Sequence, residues 1–345
     1  SDADIAVVEG VMGLFDGYDG ISESGSTAQM AKWLGLPVIL VINAKGMARS
    51  AAAIVKGFES FDPDLDIAGV IFTRTGSPRH YEYLKTAVEQ SCRAKVLGHL
   101  PKNERIVMPE RHLGLVTAEE RGVDEDVLSL LRDMIEENID VDLLLDILEP
   151  VKIENTFETN QSKSTDSPRI AVARDKAFCF YYPDNLQMME SLGAEVIEFS
   201  PLEGKLLPGD IDGIYLGGGY PEVHAEKLSS RHALLSQIKS FSENGMPIYG
   251  ECGGFMYLCS QVTGMDEAQV YSMTGCFDFR VSMSKRLRSL GYRQITLKQD
   301  TIIGQKGDVL RGHEFHYSSL DNPAGQAQNV YQVQSRAGQK ISLKG

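Results

Sequence analysis

Short apolar runs alternate with amphipathic stretches along the first half of the chain. The runs have the length of β-strands, whereas the stretches between them have the length and apolar spacing of helices. Strands that are apolar throughout and are separated by helices indicate a parallel sheet covered on both faces. The predicted strands cover residues 4–9, 37–42, 67–72 and 95–100, and the predicted helices cover residues 26–34, 51–61 and 79–90.

This alternation stops at residues 151–168 and starts again after them. The segment, VKIENTFETNQSKSTDSP, gathers Asn, Ser, Thr and Lys, a composition typical of a linker. We therefore predict two α/β domains, over residues 1–150 and 169–345, joined by this linker. In the second domain, strands are predicted at residues 169–173, 195–199, 213–216 and 247–249, and helices at residues 185–192 and 234–244.

Composition and charge narrow the class of protein. With 345 residues, of which 42% are hydrophobic and 24% charged, the chain is long enough for two cores. No run approaches about 20 apolar residues, so we expect a cytoplasmic protein without a membrane partner. The formal charge of −14 argues against nucleic acid as a partner, since phosphate binding requires a basic surface. Five scattered cysteines without a C-x-x-C pair argue against disulfides and structural zinc.

The stretch GECGG, residues 250–254, places Cys252 between a predicted strand and a predicted helix. Ligands of open parallel sheets bind at the carboxyl ends of the strands, and a strand-to-helix turn between glycines resembles a nucleophile elbow. A helix N-terminus also lowers the pKa of a thiol, so we expect a thiolate at neutral pH. Cys252 is therefore a candidate nucleophile, and a small buried residue in a tight turn is the alternative. For Cys179, Cys259 and Cys276, packing in the core is the better interpretation.

A second glycine-rich turn, LGGGYPE, follows the predicted strand at residues 213–216. Gly217, Gly218 and Gly219 leave backbone N–H groups able to point at a developing oxyanion, as acyl transfer requires. A turn that is merely flexible is the alternative. Together with Cys252, the turn indicates cysteine-dependent acyl transfer.

In their order along the chain, these motifs resemble those of a known family. GECGGFMYL, LGGGYPE and GHEFHYS resemble the glutamine amidotransferase domain of the cobyrinate a,c-diamide synthases, and VVEGVMGLFDG, GSPRH and PERHLGLV are similar to the family's synthetase domain. The resemblance covers nearly the whole chain. It implies a P-loop-type parallel-sheet domain like that of dethiobiotin synthetase, followed by a flavodoxin-like class I glutamine amidotransferase domain.

The resemblance also implies an activity. In the family, glutamine is hydrolysed through a glutamyl thioester, ATP with Mg²⁺ activates a carboxylate as an acyl phosphate, and the released ammonia attacks it. The implied substrate is cobyrinic acid, amidated on its a and c acetate side chains in cobalamin biosynthesis; hydrogenobyrinate and nickel sirohydrochlorin are the alternatives. Cys252 then forms the thioester, and the N–H groups of Gly218, Gly219 and Gly253 hold the oxyanion. The sequence does not indicate an oligomeric state.

Two acids of the first domain are candidate site residues. Glu9 follows four apolar residues of a predicted strand, where a nucleotide-binding sheet places a magnesium-facing carboxylate. Asp16 lies seven residues further on, in GLFDG, within reach of the metal or the phosphoryl group. The resemblance makes both of them part of the ATP and magnesium site, and a solvated acid at a strand end is the alternative.

The sequence departs from the family in three places. The family's P-loop, which ends Gly-Lys-Thr/Ser, does not occur, and because the chain begins inside a predicted strand we expect an N-terminal segment to precede it. The family's late Tyr-Leu-His-Leu-His-like stretch with its catalytic histidine is absent as well. His313 and His316 are the substitutes, interpreted as structural or substrate-lining residues, as participants near the thiol, or as a metal pair. Thr73 stands where relatives usually have Asn, which leaves the nucleotide base open.

Substrate contacts are predicted from a basic segment and two tyrosines. Residues 280–293, RVSMSKRLRSLGYR, concentrate positive charge in an acidic chain. Arg286 and Arg288 are candidates for binding the carboxylates of a tetrapyrrole, because guanidinium groups suit carboxylates. A solvated basic surface is the alternative. Tyr181 and Tyr182, in FYYPDNL, either stack on a flat ring or fill the core.

Three functional classes stay open from the sequence. The first is glutamine- and ATP-dependent amidation. The second is a stand-alone cysteine glutaminase or hydrolase that uses only the second domain. The third is a nucleotide switch that binds partners, which leaves Cys252 without a role.

Overall fold

The chain forms two units, Ser1–Thr156 and Phe157–Gly345, in a computed structural model. The structure describes residues 4–106, 110–111, 114–115, 124–148, 167–264, 269–321, 327–335 and 340–341. Most of the predicted linker, residues 151–166, lies outside the described residues. No helix in the described ranges combines the length and the apolar character that crossing a membrane requires.

The first unit is built on a parallel sheet of three strands in the order β1-β2-β3, as predicted. Val55, Val70 and Phe72 are fully buried between this sheet and its helices. The described elements of the unit are α1 (Thr27–Leu34), β1 (Val38–Asn43), α2 (Arg49–Phe61), β2 (Ile67–Thr75), α3 (Pro78–Ser91), β3 (Lys95–Pro101), β4 (Glu110–Arg111), β5 (Gly114–Leu115), α4 (Glu125–Asn138) and α5 (Val141–Asp146).

Capping residues set the helix boundaries of this unit. α1 begins after Ser26, whose Oγ accepts a hydrogen bond from the Gln29 N–H at 3.1 Å. It ends at Gly35, which takes the left-handed conformation with φ 63°. Ser77 caps α3 in the same way as Ser26 caps α1. These contacts satisfy N–H and C=O groups that a helix end leaves without an internal partner.

The prediction of a strand at residues 4–9 is wrong. Ile5 and Val7 are 52% and 91% exposed, and residues 5–10 have no strand structure. A strand requires hydrogen bonds to a neighbour, and in the part of the chain that the structure describes β1 pairs only with β2. The apolar run therefore has no ladder to join, which its composition does not reveal.

A buried carboxylate in α2 anchors the turn between α3 and β3. Glu59 is 2% exposed, and its Oε1 accepts hydrogen bonds from the N–H groups of Arg93 and Ala94 at 2.6 and 2.8 Å. The ammonium of Lys56 lies 3.2 Å from its other oxygen. Burial acts to raise the pKa of Glu59, but these donors outweigh burial and hold the pKa below its ordinary value. The charged carboxylate therefore stabilises the first unit.

We predict that Glu59→Gln lowers the free energy of unfolding by about 1–3 kcal/mol at neutral pH, because a neutral amide replaces a buried, charge-assisted acceptor. A carboxylate with a depressed folded pKa stabilises the protein above its unfolded pKa, and this contribution is lost as the pH falls through the folded pKa. The difference between wild type and variant in urea denaturation should therefore shrink towards acid pH. Glu89→Gln, exposed on α3, is the control; equal effects of the two substitutions would contradict the prediction.

The second unit contains the second predicted parallel sheet, in the order β7-β6-β8-β9. Ile214 and Leu216 of this sheet share a buried cluster with Leu234 and Ile238. The α/β fold class predicted for both domains is therefore confirmed. The elements are β6 (Arg169–Ala173), α6 (Pro183–Ser191), β7 (Glu195–Phe199), β8 (Gly213–Leu216), α7 (Ala225–Ser229), α8 (His232–Glu243), β9 (Ile248–Gly250) and α9 (Gly253–Leu258).

Two further sheets follow α9, and the sequence patterns did not predict them. One has the order β11-β10-β12-β15 and the other, entirely antiparallel, has the order β14-β13-β16-β17. Cys259 is the first residue of β10 and is fully buried, in agreement with its predicted place in the core. The strands are β10 (Cys259–Thr263), β11 (Val270–Ser272), β12 (Phe277–Met283), β13 (Ser289–Leu297), β14 (Val309–His316), β15 (Ser318–Asp321), β16 (Tyr331–Ser335) and β17 (Lys340–Ile341).

Candidate active site around Cys252

The turn between β9 and α9 is a sharp elbow with Cys252 at its tip. Cys252 has a φ of 48° and a ψ of −106°. Only Cys252 and Arg74 combine a side chain with a positive φ among the residues that the structure describes. Such a conformation costs about 1–3 kcal/mol and persists only where the surrounding structure enforces it. This backbone is characteristic of a nucleophile elbow.

Close backbone packing enforces the elbow. A Cβ atom on Gly254 would lie 2.0 Å from the carbonyl oxygen of Leu216 in β8, and a Cβ atom on Gly253 would lie 2.8 Å from Cδ of Pro221. The N–H of Glu251 donates to the same Leu216 carbonyl at 2.9 Å. The start of α9 therefore touches the end of β8, and glycine is the residue that fits at both positions.

The glycine-rich turn after β8 lies against the elbow. A Cβ atom on Gly218 would lie 3.8 Å from Cβ of Cys252, and one on Gly253 would lie 3.1 Å from the nitrogen of Gly219. The Gly253 N–H also forms a hydrogen bond with the Cys252 sulfur. The three glycines predicted for the oxyanion hole therefore lie around Cys252, and their action as donors stays a prediction.

Tyr181 ties this turn to the first strand of the sheet. Its hydroxyl donates a hydrogen bond to the carbonyl of Ala173, at the end of β6, and accepts one from the Gly217 N–H at 2.8 Å. Burial raises the pKa of Tyr181, so the hydroxyl keeps its proton. Tyr181 is thus part of the scaffold of the turn, whereas the neighbouring Tyr182 is 77% exposed.

The pKa of the Cys252 thiol is raised, whereas the sequence led us to expect a lowered pKa. Burial of the sulfur is the main cause, and the carboxylates of Glu222 and Glu251 add to it. The Gly253 N–H acts in the opposite direction but does not compensate. The expectation failed because it considered the helix N-terminus and neither the burial of the sulfur nor these two acids. The thiol is therefore protonated at rest, although the residue is accessible to solvent.

Glu251 is held beside Cys252 by two tyrosines, an arrangement that the sequence did not indicate. The Tyr249 hydroxyl donates to one carboxylate oxygen at 2.9 Å, and the Tyr215 hydroxyl lies 3.3 Å from the other. Tyr215 and Tyr249 are register partners on β8 and β9, and their ring centroids are 5.6 Å apart. Tyr181 stacks edge-on against Tyr215 and completes the row. The negative charge next to the thiol therefore has a fixed position.

We predict that Glu251→Gln lowers the pKa of Cys252 and raises its rate of alkylation by iodoacetamide severalfold at neutral pH, because a negative charge beside the thiol is removed. The rates of wild type and variant should converge at a pH above both thiol pKa values, where each protein is fully thiolate. Peptide-resolved mass spectrometry separates Cys252 from the other cysteines. Glu243→Gln, at the exposed end of α8, is the control and should not change the rate. A rate unchanged by Glu251→Gln would contradict the prediction.

A second prediction concerns the packing of the elbow. Gly254→Ala should destabilise the protein by about 1–3 kcal/mol, because its Cβ would overlap the Leu216 carbonyl and force α9 away from β8. Gly209→Ala is the matched control, since its Cβ would meet no atom within 4 Å. Urea denaturation should give a lower midpoint for Gly254→Ala alone, and equal midpoints for the two variants would disprove the role of this contact.

The two predicted histidines lie on a strand, which separates them. Residues three apart on β14 point to opposite sides of the sheet, so His313 and His316 do not form a metal pair. His316 bonds through Nε2 to Glu314 at 2.8 Å and through Nδ1 to the Ser318 carbonyl at 2.9 Å. The partners of His313 are the rings of Tyr292 and of a neighbouring phenylalanine. Neither set of partners includes Cys252, and the metal-pair interpretation is wrong.

The predicted basic residues Arg286 and Arg288 are exposed. The N–H of Arg288 donates to the His316 carbonyl at 3.0 Å, so its backbone extends the pairing of β13 with β14. Arg293, from the same basic segment, is instead committed to Glu314 through a 2.6 Å ion pair. The segment therefore divides into an exposed part and a part that belongs to the scaffold.

In the first unit, Glu9 and Asp16 are exposed and lie before α1. No group of three or more His, Cys, Asp or Glu residues converges on a metal site within the described ranges. Carboxylate oxygens nevertheless suit Mg²⁺, which commonly takes one or two protein carboxylates and completes its shell with phosphate and water. The Gly-Lys-Thr/Ser turn that binds the phosphates in P-loop proteins does not occur in this sequence.

Strain at the end of β2 marks another position that the sequence did not reveal. Arg74 has a φ of 56° and is exposed, and the pairing of β2 with β3 shifts between Thr73 and Thr75. The Thr73 hydroxyl lies 3.5 Å from the carbonyl of Ile42 in β1. Strained residues at the carboxyl edge of a parallel sheet often serve ligands, so Arg74 is a candidate for the nucleotide site of the first unit.

Comparison with known proteins finds a family model that matches part of each unit. Residues 169–344 match the CobB/CobQ-like glutamine amidotransferase domain, and residues 1–110 match an AAA domain. The second match supports nucleotide binding by the first unit.

Curated relatives resemble the whole chain. The cobyrinate a,c-diamide synthase of Syntrophotalea carbinolica is 42% identical over 100% of this chain and 76% of its own length. Enzymes of the same name from Priestia megaterium and Listeria monocytogenes are 43% and 47% identical, each over 92% of this chain and over 69% and 70% of their own lengths. Among solved structures, PurLQS from Thermotoga maritima is 16% identical with a TM-score of 0.33, covering 50% of this chain and 84% of that one.

Proposed function

Because this chain belongs to the cobyrinate a,c-diamide synthase family, we propose that it catalyses the glutamine-dependent amidation of the a and c acetate carboxylates of cobyrinic acid in cobalamin biosynthesis. One observation carries the proposal. Cys252 stands in a strained strand-to-helix elbow, against a triple-glycine turn, inside the part of the chain that matches the glutamine amidotransferase domain. Release of ammonia from glutamine requires a nucleophile and donors for an oxyanion, and this arrangement offers both.

In the proposed first step, the Cys252 sulfur attacks the side-chain amide carbon of glutamine and a C–S bond forms. The carbonyl oxygen becomes an oxyanion, for which the N–H groups of Gly218, Gly219 and Gly253 are the proposed donors. The intermediate then collapses, the C–N bond breaks, and the nitrogen leaves as ammonia with the proton that the thiol gives up. Water hydrolyses the resulting glutamyl thioester to glutamate and restores the thiol.

Because the Cys252 thiol is protonated, the site with bound substrate has to favour its deprotonation. Attack requires that the thiol lose its proton, and the two carboxylates near it, Glu222 and Glu251, oppose this loss electrostatically. We propose that glutamine binds with its α-ammonium group, and not its α-carboxylate, directed towards these two acids, which offsets their charge and favours the thiolate. We therefore expect the thiol to become reactive mainly when substrate is bound.

The second half of the proposed reaction uses the ammonia to amidate a carboxylate. The match of residues 1–110 to an AAA domain supports ATP as the source of activation. Glu9 and Asp16 are the proposed carboxylate ligands of Mg²⁺, which neutralises charge on nucleotide phosphates when it is bound. The proposed partners are small molecules: cobyrinic acid, glutamine and ATP.

The test is Cys252→Ala, assayed by mass spectrometry with cobyrinic acid, ATP and Mg²⁺. Wild type should convert two carboxylates to amides with glutamine, whereas the variant should lose at least about 100-fold in rate with glutamine, as expected when a nucleophile is removed. With ammonium chloride in place of glutamine, wild type and variant should amidate equally, because free ammonia bypasses the thioester.

Three other outcomes would change the proposal. Equal rates of wild type and variant with glutamine would remove Cys252 from the mechanism. Hydrolysis of glutamine without amidation of cobyrinic acid, hydrogenobyrinate or nickel sirohydrochlorin would indicate a stand-alone glutaminase. Nucleotide binding without any glutamine hydrolysis would favour a switch.

A further inference from the structure

Strand alternation creates an unusual surface on the antiparallel sheet of the second unit. β13 and β14 pair with Leu290 opposite Phe315, Tyr292 opposite His313, and Gln294 opposite Arg311. Side chains at these positions lie on one side of the sheet, because successive residues of a strand point to opposite sides. We call this side the outer face and define it by Arg288, Leu290, Tyr292, Arg311, His313 and Phe315.

The outer face is apolar and aromatic at its centre, and it is exposed. Leu290 and Tyr292 are 58% and 55% exposed. The ring centroids of Tyr292 and His313 are 5.4 Å apart, and those of His313 and Phe315 are 6.3 Å apart. The rings of Tyr292 and His313 are exposed and that of Phe315 is half-buried, so the three form a continuous aromatic patch on the sheet. Patches of this kind on a folded protein mark a binding surface.

The other side of the same strands has the opposite character. There Arg293 bonds to Glu314 at 2.6 Å, Glu314 bonds to His316 at 2.8 Å, and Leu297 is buried. The charged groups on that side form hydrogen bonds and ion pairs with one another. The sheet therefore has internally paired side chains on one side and an aromatic patch on the other.

The charge of the outer face is reversed relative to the chain. The formal net charge of the protein is −14, yet Glu314 is the only acid on β13, β14 and β16, and it lies on the other side of the sheet. The outer face instead has an arginine at each end, with Arg288 beyond Leu290 and Arg311 opposite Gln294. Both arginines are exposed. Gln294 lies six positions after Arg288, which corresponds to a span of about 20 Å in an extended strand.

We propose that the outer face binds the tetrapyrrole, with the conjugated ring lying on Tyr292, His313 and Phe315 and with peripheral carboxylates paired to Arg288 and Arg311. The site rests on the proposed function, which supplies the ligand. Flat conjugated rings stack on aromatic side chains, and a guanidinium group forms a two-point hydrogen-bonded pair with a carboxylate. A broad ring with carboxylates on its rim matches both the aromatic centre and the two separated arginines.

Charge reversal at the two arginines tests the site. We expect Arg288→Glu combined with Arg311→Glu to weaken cobyrinic acid binding by at least 10-fold, measured by equilibrium dialysis with the absorbance of the corrin ring. The matched control is Lys298→Glu combined with Lys306→Glu, which makes the same change in net charge at exposed lysines of the same unit. The control should bind within twofold of wild type. Far-UV circular dichroism and the thermal midpoint establish that each variant is folded.

A second pair of variants tests the stacking contact without changing charge. Tyr292→Ser should weaken binding severalfold, whereas Tyr292→Phe, which keeps the ring, should bind like wild type. Cobyrinic acid with esterified carboxylates should bind wild type and the arginine variant equally weakly, since it presents no carboxylate to either arginine.

The failure of this site is distinguishable from failure of the proposed function. If wild type amidates cobyrinic acid but wild type, the arginine variant and the control variant bind the ring with equal affinity, the site is overturned and the proposed function stands. Binding that depends on Arg288 and Arg311 without amidation leaves the site standing and overturns the function. If wild type does not bind the ring at all, the site is overturned. The site is also overturned if the arginine variant sediments differently from wild type but binds the ring with the same affinity, and that result assigns the outer face to contact between copies of the chain.

Discussion

The steric contact between α9 and β8 is the constraint on which the candidate active site depends. Because a Cβ atom on Gly254 would overlap the Leu216 carbonyl, the helix can start directly against the strand only with glycine there. The chain must then reverse within the two residues before α9, and Cys252 takes a positive φ. The cost of about 1–3 kcal/mol is small beside the burial of Leu216 and Leu258 in the core below, so the strained conformation persists.

The sequence predicted the parallel sheets well because most of their strands are short, mainly apolar runs that alternate with helices. β6, β7 and β8 have the predicted bounds. The strand at residues 4–9 failed on the same pattern, since an apolar run does not reveal whether a neighbouring strand is present to pair with it. The strands from β10 onwards went unpredicted. Strands with one exposed side, such as β13, mix apolar and charged residues and give a weaker signal.

The candidate site was predictable where it depends on contiguous residues and not where it depends on register. The elbow around Cys252 and the glycine turn are local motifs, and the structure brings them into contact. The two hydrogen bonds that hold Glu251 depend on the alignment of Tyr215 with Tyr249, on two strands that are separated in sequence by α7 and α8. The spacing of His313 and His316 is compatible with a metal pair on a helix but not on a strand, and only the fold distinguishes the two.

The carboxylates beside Cys252 also bear on the chemical lifetime of the protein. Peroxides oxidise the thiolate form of cysteine, first to sulfenic acid and then irreversibly to sulfinic acid. Since burial, Glu222 and Glu251 keep the thiol protonated in the absence of substrate, the idle protein presents little of the oxidisable form even though Cys252 is accessible to solvent. Burial and the neighbouring charges, which delay nucleophilic attack, therefore also disfavour oxidation of the nucleophile.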